Sequence, residues 1–210
     1  MISDELPLGG YEEVLLIRHG ATAANAAGKY SGISDLPLSI SGMQQIELRR
    51  EELINQGMNH WFDEANEIKL ISSPLKRCLQ TAELFWPHMK PLVESNLIET
   101  DFGSWEGLTY DQLKSDPGYR NWLDSSPLLR AAPPGGESGA EIMSRLESFW
   151  INSINLSKLA TTPKRLAIVS HGGVIMYLMT LITGKPGEFY TWQLQPGGAW
   201  LLNREGCRLC

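Results

Sequence analysis

Three short apolar runs, each followed at once by polar or glycine residues, stand out along the chain. Continuous apolar runs of this length are typical of parallel strands that are covered on both faces. We therefore predict strands over Val14–Arg18, Ile68–Ile71 and Leu166–Ser170. Start and stop signals along the chain predict four helices. The first runs from Ser41 to about Gln56, with Gly57 as a stop, and the second from Pro74, with Ser73 as N-cap, to about Phe85. The other two run from Glu137 to about Asn152 and from Val174 to about Thr183.

The remaining segments complete the predicted layout. Residues 20–40 are rich in Gly, Ala, Ser and Pro and predict a loop. Residues 192–195 and 199–203, joined by Pro196-Gly197-Gly198, predict a closing hairpin. The alternation of strands and helices predicts an α/β fold, a three-layer α/β/α arrangement with a mostly parallel central sheet. The length of 210 residues suits a single domain over 1–210, with 100–136 as an inserted small helical lobe near the active site.

Composition narrows the class of protein. The chain is 42% hydrophobic and 20% charged, which is ordinary for a soluble globular protein. No apolar run approaches the roughly 18 residues that span a membrane. The acidic start, Met1–Glu5, lacks an apolar signal core, so we expect a cytoplasmic protein with no membrane partner. The net charge of −6 argues against a nucleic-acid partner, although a local basic pocket could still bind a small anion.

The chain has three cysteines, Cys78, Cys207 and Cys210, and an odd number does not suggest a disulfide framework. We interpret Cys207-Arg208-Leu209-Cys210 as an exposed, reduced tail. A redox pair and a prenylation signal are the alternatives. The first lacks a supporting motif, and Arg208 does not fit the second.

Two histidines follow predicted strands in the same way. His19 and His171 each come directly after an apolar run and precede glycine. Ligands of parallel sheets bind beyond the carboxyl ends of the strands, so both rings could face one crevice. Arg18 offers a planar fork of donors that matches phosphate oxygens, and imidazole is an established nucleophile. The alternative for either histidine is a structural hydrogen bond within the fold.

Arg77 is the third signal. It falls in the first turn of the helix that follows the second strand. The helix dipole disfavours a cation there, which suggests an anion bound between the guanidinium and the free backbone N–H groups. A surface arginine that reaches solvent is the alternative. The three strand ends together predict a phosphate site at one edge of the sheet.

The motifs around these residues resemble those of a known family. They are Leu16-Ile17-Arg18-His19-Gly20-Ala21-Thr22 with Asn25, Ser72-Ser73-Pro74-Leu75-Lys76-Arg77 with Thr81-Ala82, Glu99-Thr100-Asp101-Phe102-Gly103-Ser104-Trp105-Glu106-Gly107, and Val169-Ser170-His171-Gly172-Gly173. In this order they are similar to the histidine phosphatase superfamily, which includes cofactor-dependent phosphoglycerate mutases and many phosphatases. The sequence departs from the family at Ala21, where many members carry glutamate or a comparable polar residue.

The resemblance implies a role for each matched position. His19 would be the nucleophile that becomes phosphohistidine. Glu99 would protonate the leaving alcohol and then activate water. The phosphoryl group would be clamped by Arg18, Arg77 and His171. Further hydrogen bonds to it would come from Thr22 and Asn25. Phosphate or substrate would also be bound by Ser31, Gly32 and Gly172.

The predicted site needs no cofactor and no metal. Two arginines and a protonated His171 would supply the positive charge that a metal ion otherwise provides in phosphoryl transfer. The four histidines show no close ligand pairing such as His-x-x-x-His. The expected partner is a small-molecule phosphate ester, and a homodimer is a candidate assembly.

Only the resemblance to known families narrows the range of candidate substrates. The segment from Glu99 to Gly107 is similar to the phosphatase branch of the family. Residues 28–32 and 35–38 resemble the α-ribazole-phosphate phosphatases of cobalamin biosynthesis. A phosphoglycerate mutase-like enzyme and a broad-specificity sugar or nucleotide phosphatase stay open as alternatives. Trp105 and Tyr30 are the aromatic residues that we expect nearest the substrate.

Overall fold

A computed structural model describes residues 6–63, 67–156 and 163–210, with no account of the side chains of 154–156. The acidic start, Met1–Glu5, lies outside the described residues. The strands are β1 Glu13–Arg18, β2 Ile68–Ser72, β3 Leu92–Val93, β4 Arg165–Ser170, β5 Ala199–Asn203 and β6 Gly206–Leu209. The α-helices are α1 Ala23–Ala26, α2 Ile40–Leu53, α3 His60–Asp63, α4 Lys76–Phe85, α5 Tyr110–Leu113, α6 Pro117–Asp124, α7 Gly139–Leu156 and α8 Gly172–Thr183.

The strands form one mixed sheet in the order β3-β2-β4-β1-β5-β6. The first four in this order are parallel, whereas β5 and β6 are antiparallel to their neighbours. β1 and β4 are paired so that Arg18 lies opposite Ser170. His19 and His171, the next residues along, therefore leave the sheet at the same edge.

Side chains of the central strands alternate between two cores. Leu16 and Ile168 pack with residues of α7 and α8 on one face, whereas Leu15 and Val169 pack with residues of α2 and α4 on the other. Successive strand residues point to opposite faces, so a continuous apolar run is what two covering layers require. The predicted α/β class, with a mostly parallel sheet between helical layers, is confirmed.

The predicted closing hairpin is wrong in one of its strands. Residues 186–192 form a 3₁₀ helix, and β5 pairs with β6 instead. Trp192 and Leu194 are both buried in the core. Their burial produces the alternating pattern that is typical of a strand, although this backbone forms no strand hydrogen bonds. Cys207 lies in β6, so the exposed tail is also a wrong prediction. Cys207 and Cys210 are free and half-buried.

Several boundaries differ from the predicted ones. α4 begins at Lys76 with Leu75 as N-cap, so Ser73 does not cap it. α2 begins one residue early, because Ser39 accepts a hydrogen bond from the amide of Gly42, and a π-helical turn over 54–58 continues it. The loop 20–40 contains the short helix α1. α7 begins at Gly139, after Glu137.

Residues 100–136 contain the short helices α5 and α6 and a small apolar cluster of their own. Trp105, Leu113 and Tyr119 form its centre, with Tyr30 and Trp122 packed against it. The division into one domain with an inserted lobe stays a prediction. No helix in the part of the chain that the structure describes is long and apolar enough to cross a membrane.

Candidate active site

The ends of three parallel strands bring the predicted histidines together. The backbone N–H of His19 donates to the carbonyl of Ser170 at 2.9 Å, and that of Ser73 donates to the carbonyl of Val169 at 3.0 Å. The rings of His19 and His171 lie edge to face, with their centroids 5.1 Å apart. Both rings are buried.

Arg77 connects the two rings. Its Nε lies 3.2 Å from Nε2 of His19 and 3.2 Å from Nδ1 of His171. Nε carries one hydrogen and can only donate, so the two imidazole nitrogens share this N–H as acceptors. The other nitrogens then carry the protons. Nδ1–H of His19 donates to the carbonyl of Gly20 at 2.7 Å, and Nε2–H of His171 donates to Oγ of Ser73 at 2.7 Å. His19 is left with a lone pair on Nε2.

Both imidazoles are held neutral. Burial, followed by the charge of Arg77, lowers the pKa of His19 to about 3. Burial, followed by the neighbouring His19 and Arg77, lowers the pKa of His171 well below its usual value. A protonated His171 as a source of charge is therefore a wrong prediction for this structure, and the positive charge of the cluster comes from the arginines.

Arg18 contributes a cation with a free donor. Its Nη1 donates to the carbonyl of Leu194 at 2.5 Å, whereas its buried Nε has no partner among the described residues. Burial lowers the pKa of this guanidinium, and the charge of Glu99 opposes that shift. Gly172 packs directly on the group, because a Cβ built there would lie 3.2 Å from its Cζ. Nε of Arg18 is thus a donor that a phosphoryl oxygen could accept from.

Glu99 lies beside the cluster at the beginning of α8. Its carboxylate accepts from the backbone N–H of Gly173 at 3.2 Å and from that of Thr100 at 2.9 Å. A Cβ at position 173 would lie 2.6 Å from Oε1 of Glu99, so the carboxylate occupies space that only glycine leaves. Glu99 is 8% exposed, which leaves a small opening to the neighbouring cavity.

Ser31 and Gly32 hold Arg77 through their backbone. Nη2 of Arg77 donates to the carbonyls of Gly32 at 2.7 Å and Ser31 at 3.4 Å, and Nη1 donates to the carbonyl of Ser34 at 2.7 Å. A Cβ at Gly32 would lie 1.8 Å from the carbonyl oxygen of Thr100, so this close approach requires glycine. The loop fixes the guanidinium, and direct substrate binding by these two residues stays a prediction.

Thr22 and Asn25 hydrogen-bond to each other. The backbone N–H of Thr22 donates to Oδ1 of Asn25 at 2.9 Å, and its hydroxyl donates to the same oxygen at 3.0 Å. The pair caps α1 as a capping box. Their hydrogen bonds to phosphate stay a prediction.

The sequence interpretation missed two partners of His171. Ser73 was assigned to a helix cap, although its position directly after β2 matches that of His19 after β1. Cys78 packs against the same ring, with Sγ 3.4 Å from Nε2, and burial raises the pKa of its thiol. No local pattern marks Cys78, because its partner His171 lies 93 residues away in the sequence.

A cavity of about 300 Å³ opens beside Glu99 and Gly173. Its walls are largely aromatic: Tyr30, Phe102, Trp122, Tyr177, Phe189 and Tyr190. Tyr30 lines this cavity, whereas Trp105 is buried in the apolar cluster of the 100–136 segment and does not; their nearness to the substrate stays a prediction. A larger groove of about 630 Å³ beside α2 has none of the predicted site residues in its lining.

No group of three or more His, Cys, Asp or Glu within residues 6–63, 67–156 and 163–210 could hold a metal ion.

Known proteins are similar to this chain in sequence and in fold. A bifunctional protein of Mycobacterium tuberculosis is 33% identical over 137 residues, which cover 63% of this chain and 35% of that protein. The match thus spans about a third of that relative's length. A glucosyl-3-phosphoglycerate phosphatase of Mycolicibacterium vanbaalenii is 29% identical over 82% of this chain and 75% of its own.

A solved structure described as a putative alpha-ribazole-5′-P phosphatase from Escherichia coli has the same fold. It has a TM-score of 0.76 and 24% identity, over 95% of each chain. The family described as the histidine phosphatase superfamily, branch 1, matches residues 14–208, which include every strand end of the site. The chain therefore belongs to the histidine phosphatase superfamily.

Proposed function

We propose that this chain is a metal-independent phosphomonoesterase that forms a phosphohistidine at His19. The observation that carries the proposal is the neutral imidazole of His19, whose Nε2 lone pair faces Nε of Arg77 at 3.2 Å. A nucleophile next to a fixed cation is the arrangement that phosphoryl transfer requires, because catalysis there relies on positioning and charge. Arg18 and Arg77 supply that charge from within the protein.

In the first step, Nε–H of Arg77 shifts its hydrogen bond from Nε2 of His19 to a phosphoryl oxygen. The freed lone pair of Nε2 then attacks phosphorus while the bond from phosphorus to the ester oxygen breaks. Glu99, which this step requires as the carboxylic acid, gives a proton to the departing oxygen, which leaves as an alcohol. The imidazole gains positive charge as the new bond forms, and the carbonyl of Gly20 stabilises it through the 2.7 Å hydrogen bond from Nδ1–H. Nε of Arg18 donates to a phosphoryl oxygen throughout.

In the second step, water attacks the phosphohistidine. Glu99, now a carboxylate, takes a proton from that water, and the bond from phosphorus to Nε2 breaks. His19 regains its lone pair, Glu99 regains its proton, and inorganic phosphate leaves. One carboxyl group therefore acts in turn as acid and base, and no metal-bound water is needed.

For the substrate we propose α-ribazole 5′-phosphate, in the assembly of cobalamin. The aromatic walls of the 300 Å³ cavity beside Glu99 support a leaving group with a planar base. The fold shared with the Escherichia coli protein is compatible with this substrate. A phosphoglycerate mutase-like activity and a broad-specificity phosphatase are the competing functions.

Substrate comparison tests the proposed substrate. We expect the highest kcat/KM for α-ribazole phosphate among a set with 3-phosphoglycerate, fructose 2,6-bisphosphate and common nucleotides. Comparable turnover of all these esters would reject it in favour of a broad-specificity enzyme. A mutase would interconvert phosphoglycerates only after priming with bisphosphoglycerate, so a coupled assay with and without primer separates that function.

Trapping the intermediate tests the chemistry. The wild type should form an acid-labile, alkali-stable phosphoenzyme at His19, with turnover unaffected by a chelator. His19→Ala should abolish turnover while inorganic phosphate still binds. Full activity in this variant, or loss of wild-type activity to the chelator, would contradict the mechanism.

A further inference from the structure

Arg130 is a buried cation in the wall of the aromatic cavity. It is 9% exposed, and it follows the 3₁₀ turn over Pro127–Leu129. Its Nε donates to the carbonyl of Trp122 at 3.0 Å, and its Nη2 donates to the hydroxyl of Tyr190 at 2.5 Å. Its Cζ lies 4.0 Å from the centre of the Trp122 ring. Two flanking residues thus fix the guanidinium in place.

The ordinary partners of a buried guanidinium are missing at this position. Within the described ranges, no carboxylate pairs with Arg130, and its Nη1 has no hydrogen-bond partner. The two acidic residues of the same cavity are engaged elsewhere. Glu137 binds Arg145 through both oxygens, and Glu99 accepts from two backbone N–H groups.

The aromatic contacts explain how the positive charge of Arg130 is accommodated, but they provide no acceptor for its Nη1 donor. The faces of Trp122 and Tyr190 lie 4.0 and 5.9 Å from Cζ and attract the cation. This attraction offsets part of the cost of burying charge, so a second anion is not required. Nη1 of Arg130 keeps some exposure to the cavity, so an acceptor on a bound ligand can reach this donor. The surrounding walls favour a planar, apolar carrier for that acceptor.

We propose that Arg130 is a specificity-determining residue that binds a ring acceptor atom at the far edge of a planar heterocycle in the leaving group. This inference rests on the proposed function and deepens it. The transferred phosphate binds at His19, the ester oxygen lies at Glu99, and the heterocycle fills the cavity. The free ring nitrogen of a benzimidazole, the base of α-ribazole, is an acceptor of this kind. The selected substrates are therefore nucleotide-like monoesters whose ring has an acceptor at its edge.

A matched pair of esters tests this assignment. 2-(Benzimidazol-1-yl)ethyl phosphate and 2-(indol-1-yl)ethyl phosphate have the same shape and differ in one ring atom, nitrogen against C–H. The wild type should favour the benzimidazole ester in kcat/KM by about tenfold or more, the range of a hydrogen bond from a charged donor. Arg130→Met should reduce this ratio to near one. Arg120→Met, on the exposed face of α6, should keep the wild-type ratio.

The ratio within one variant does not depend on the fraction of protein that folds, so it separates recognition from stability. Arg130→Lys, which keeps the charge, should retain part of the preference. Equal turnover of both esters by the wild type, or a loss in Arg130→Met that is the same for both, would overturn the proposal.

Binding of the two corresponding phosphonates, measured by calorimetry, gives the same comparison without turnover. If neither ester is hydrolysed, the proposed function fails, and a phosphonate preference lost in Arg130→Met would still support the role of Arg130. Equal binding of the two phosphonates by the wild type would reject that role.

Discussion

The hydroxyl of Ser73 lies 2.7 Å from Nε2 of His171, and this contact joins the end of β2 to the end of β4. Because Arg77 donates to Nδ1 of His171, the ring holds its proton on Nε2, and Nε2–H donates a hydrogen bond to Oγ of Ser73. Both residues are fully buried. Ser73 is therefore a positioning residue that holds the ring of His171 in place and, through it, the position of Arg77.

Ser73→Ala tests this role. The variant leaves the buried Nε2–H of His171 with only the weak acceptor Sγ of Cys78, at a cost of about 1 kcal/mol or more in the free energy of unfolding. We expect kcat to fall about tenfold or more while KM changes little, since the reacting groups lose their alignment. Steady-state kinetics and urea unfolding measure the two effects.

Ser72→Ala is the matched control. Ser72 is equally buried, but its hydroxyl donates to the backbone carbonyl of Ser73. This variant should lose stability with kcat within about threefold of the wild type, a change smaller than the alignment effect expected for Ser73. If Ser73→Ala keeps the wild-type kcat, or if both variants lose kcat equally, the positioning role is wrong.

The strand ends could be predicted from the sequence because their causes are local. A continuous apolar run such as Leu166–Val169 requires cover on both faces, and parallel strands share the edge where their ligands bind. The three chemical positions, His19, Arg77 and His171, follow directly from that topology. The resemblance to a family supplied Glu99, which no periodicity marks.

The remaining features depend on contacts distant in sequence. Ser73 has the residue type and place of a helix cap, yet its hydroxyl binds His171, 98 residues away. The alternation of Trp192 and Leu194 matches a strand, but Trp192 ends a 3₁₀ helix and both side chains pack into the core with residues of α7 and α8. Local pattern shows which side chains are buried, and it does not show which partner buries them.

Gly173→Ala tests the place of Glu99. The new Cβ would lie 2.6 Å from Oε1 of Glu99 and would displace the carboxylate from the backbone N–H of residue 173. Alanine favours the helix by up to about 1 kcal/mol, so the free energy of unfolding should fall little. We expect kcat to fall about a hundredfold, the scale of a general acid that is out of place.

Gly187→Ala is the control for this substitution, because a Cβ there meets nothing within 4 Å. It should keep the wild-type kcat. Wild-type kcat in Gly173→Ala would show that Glu99 tolerates displacement and would argue against its role in proton transfer.

Glu99→Gln separates the acid from a merely structural carboxylate. An amide keeps the shape but accepts only one of the two backbone hydrogen bonds, and it cannot supply a proton to the leaving oxygen. We expect phosphohistidine formation from an alkyl phosphate to slow about 10²- to 10⁴-fold. With 4-nitrophenyl phosphate, whose leaving group needs no proton, the same step should slow far less. Rapid-quench measurement of phosphoenzyme formation checks this difference, and an equal loss with both esters would contradict the acid role.

The pH dependence of stability follows from the buried imidazoles. In the folded protein the pKa of His19 is lowered to about 3, whereas in the unfolded chain it is about 6.5. Above pH 6.5 the ring is neutral in both states, and its contribution to stability is fully present. Below pH 6.5 the unfolded chain binds a proton that the folded protein excludes, so stability is lost as the pH falls toward 3. From pH 7 to pH 5 the loss is about 2 kcal/mol for His19.

Urea unfolding at pH 7 and pH 5 measures this loss in the wild type and in His19→Asn. The variant removes the titrating ring, so the difference between its two unfolding free energies should shrink by about 1–2 kcal/mol. His88→Asn, at an exposed position outside the cluster, should leave that difference at its wild-type value. If His19→Asn keeps the full wild-type dependence, His19 is not held neutral by burial, and the lone pair on which the proposed phosphoryl transfer depends would need another origin.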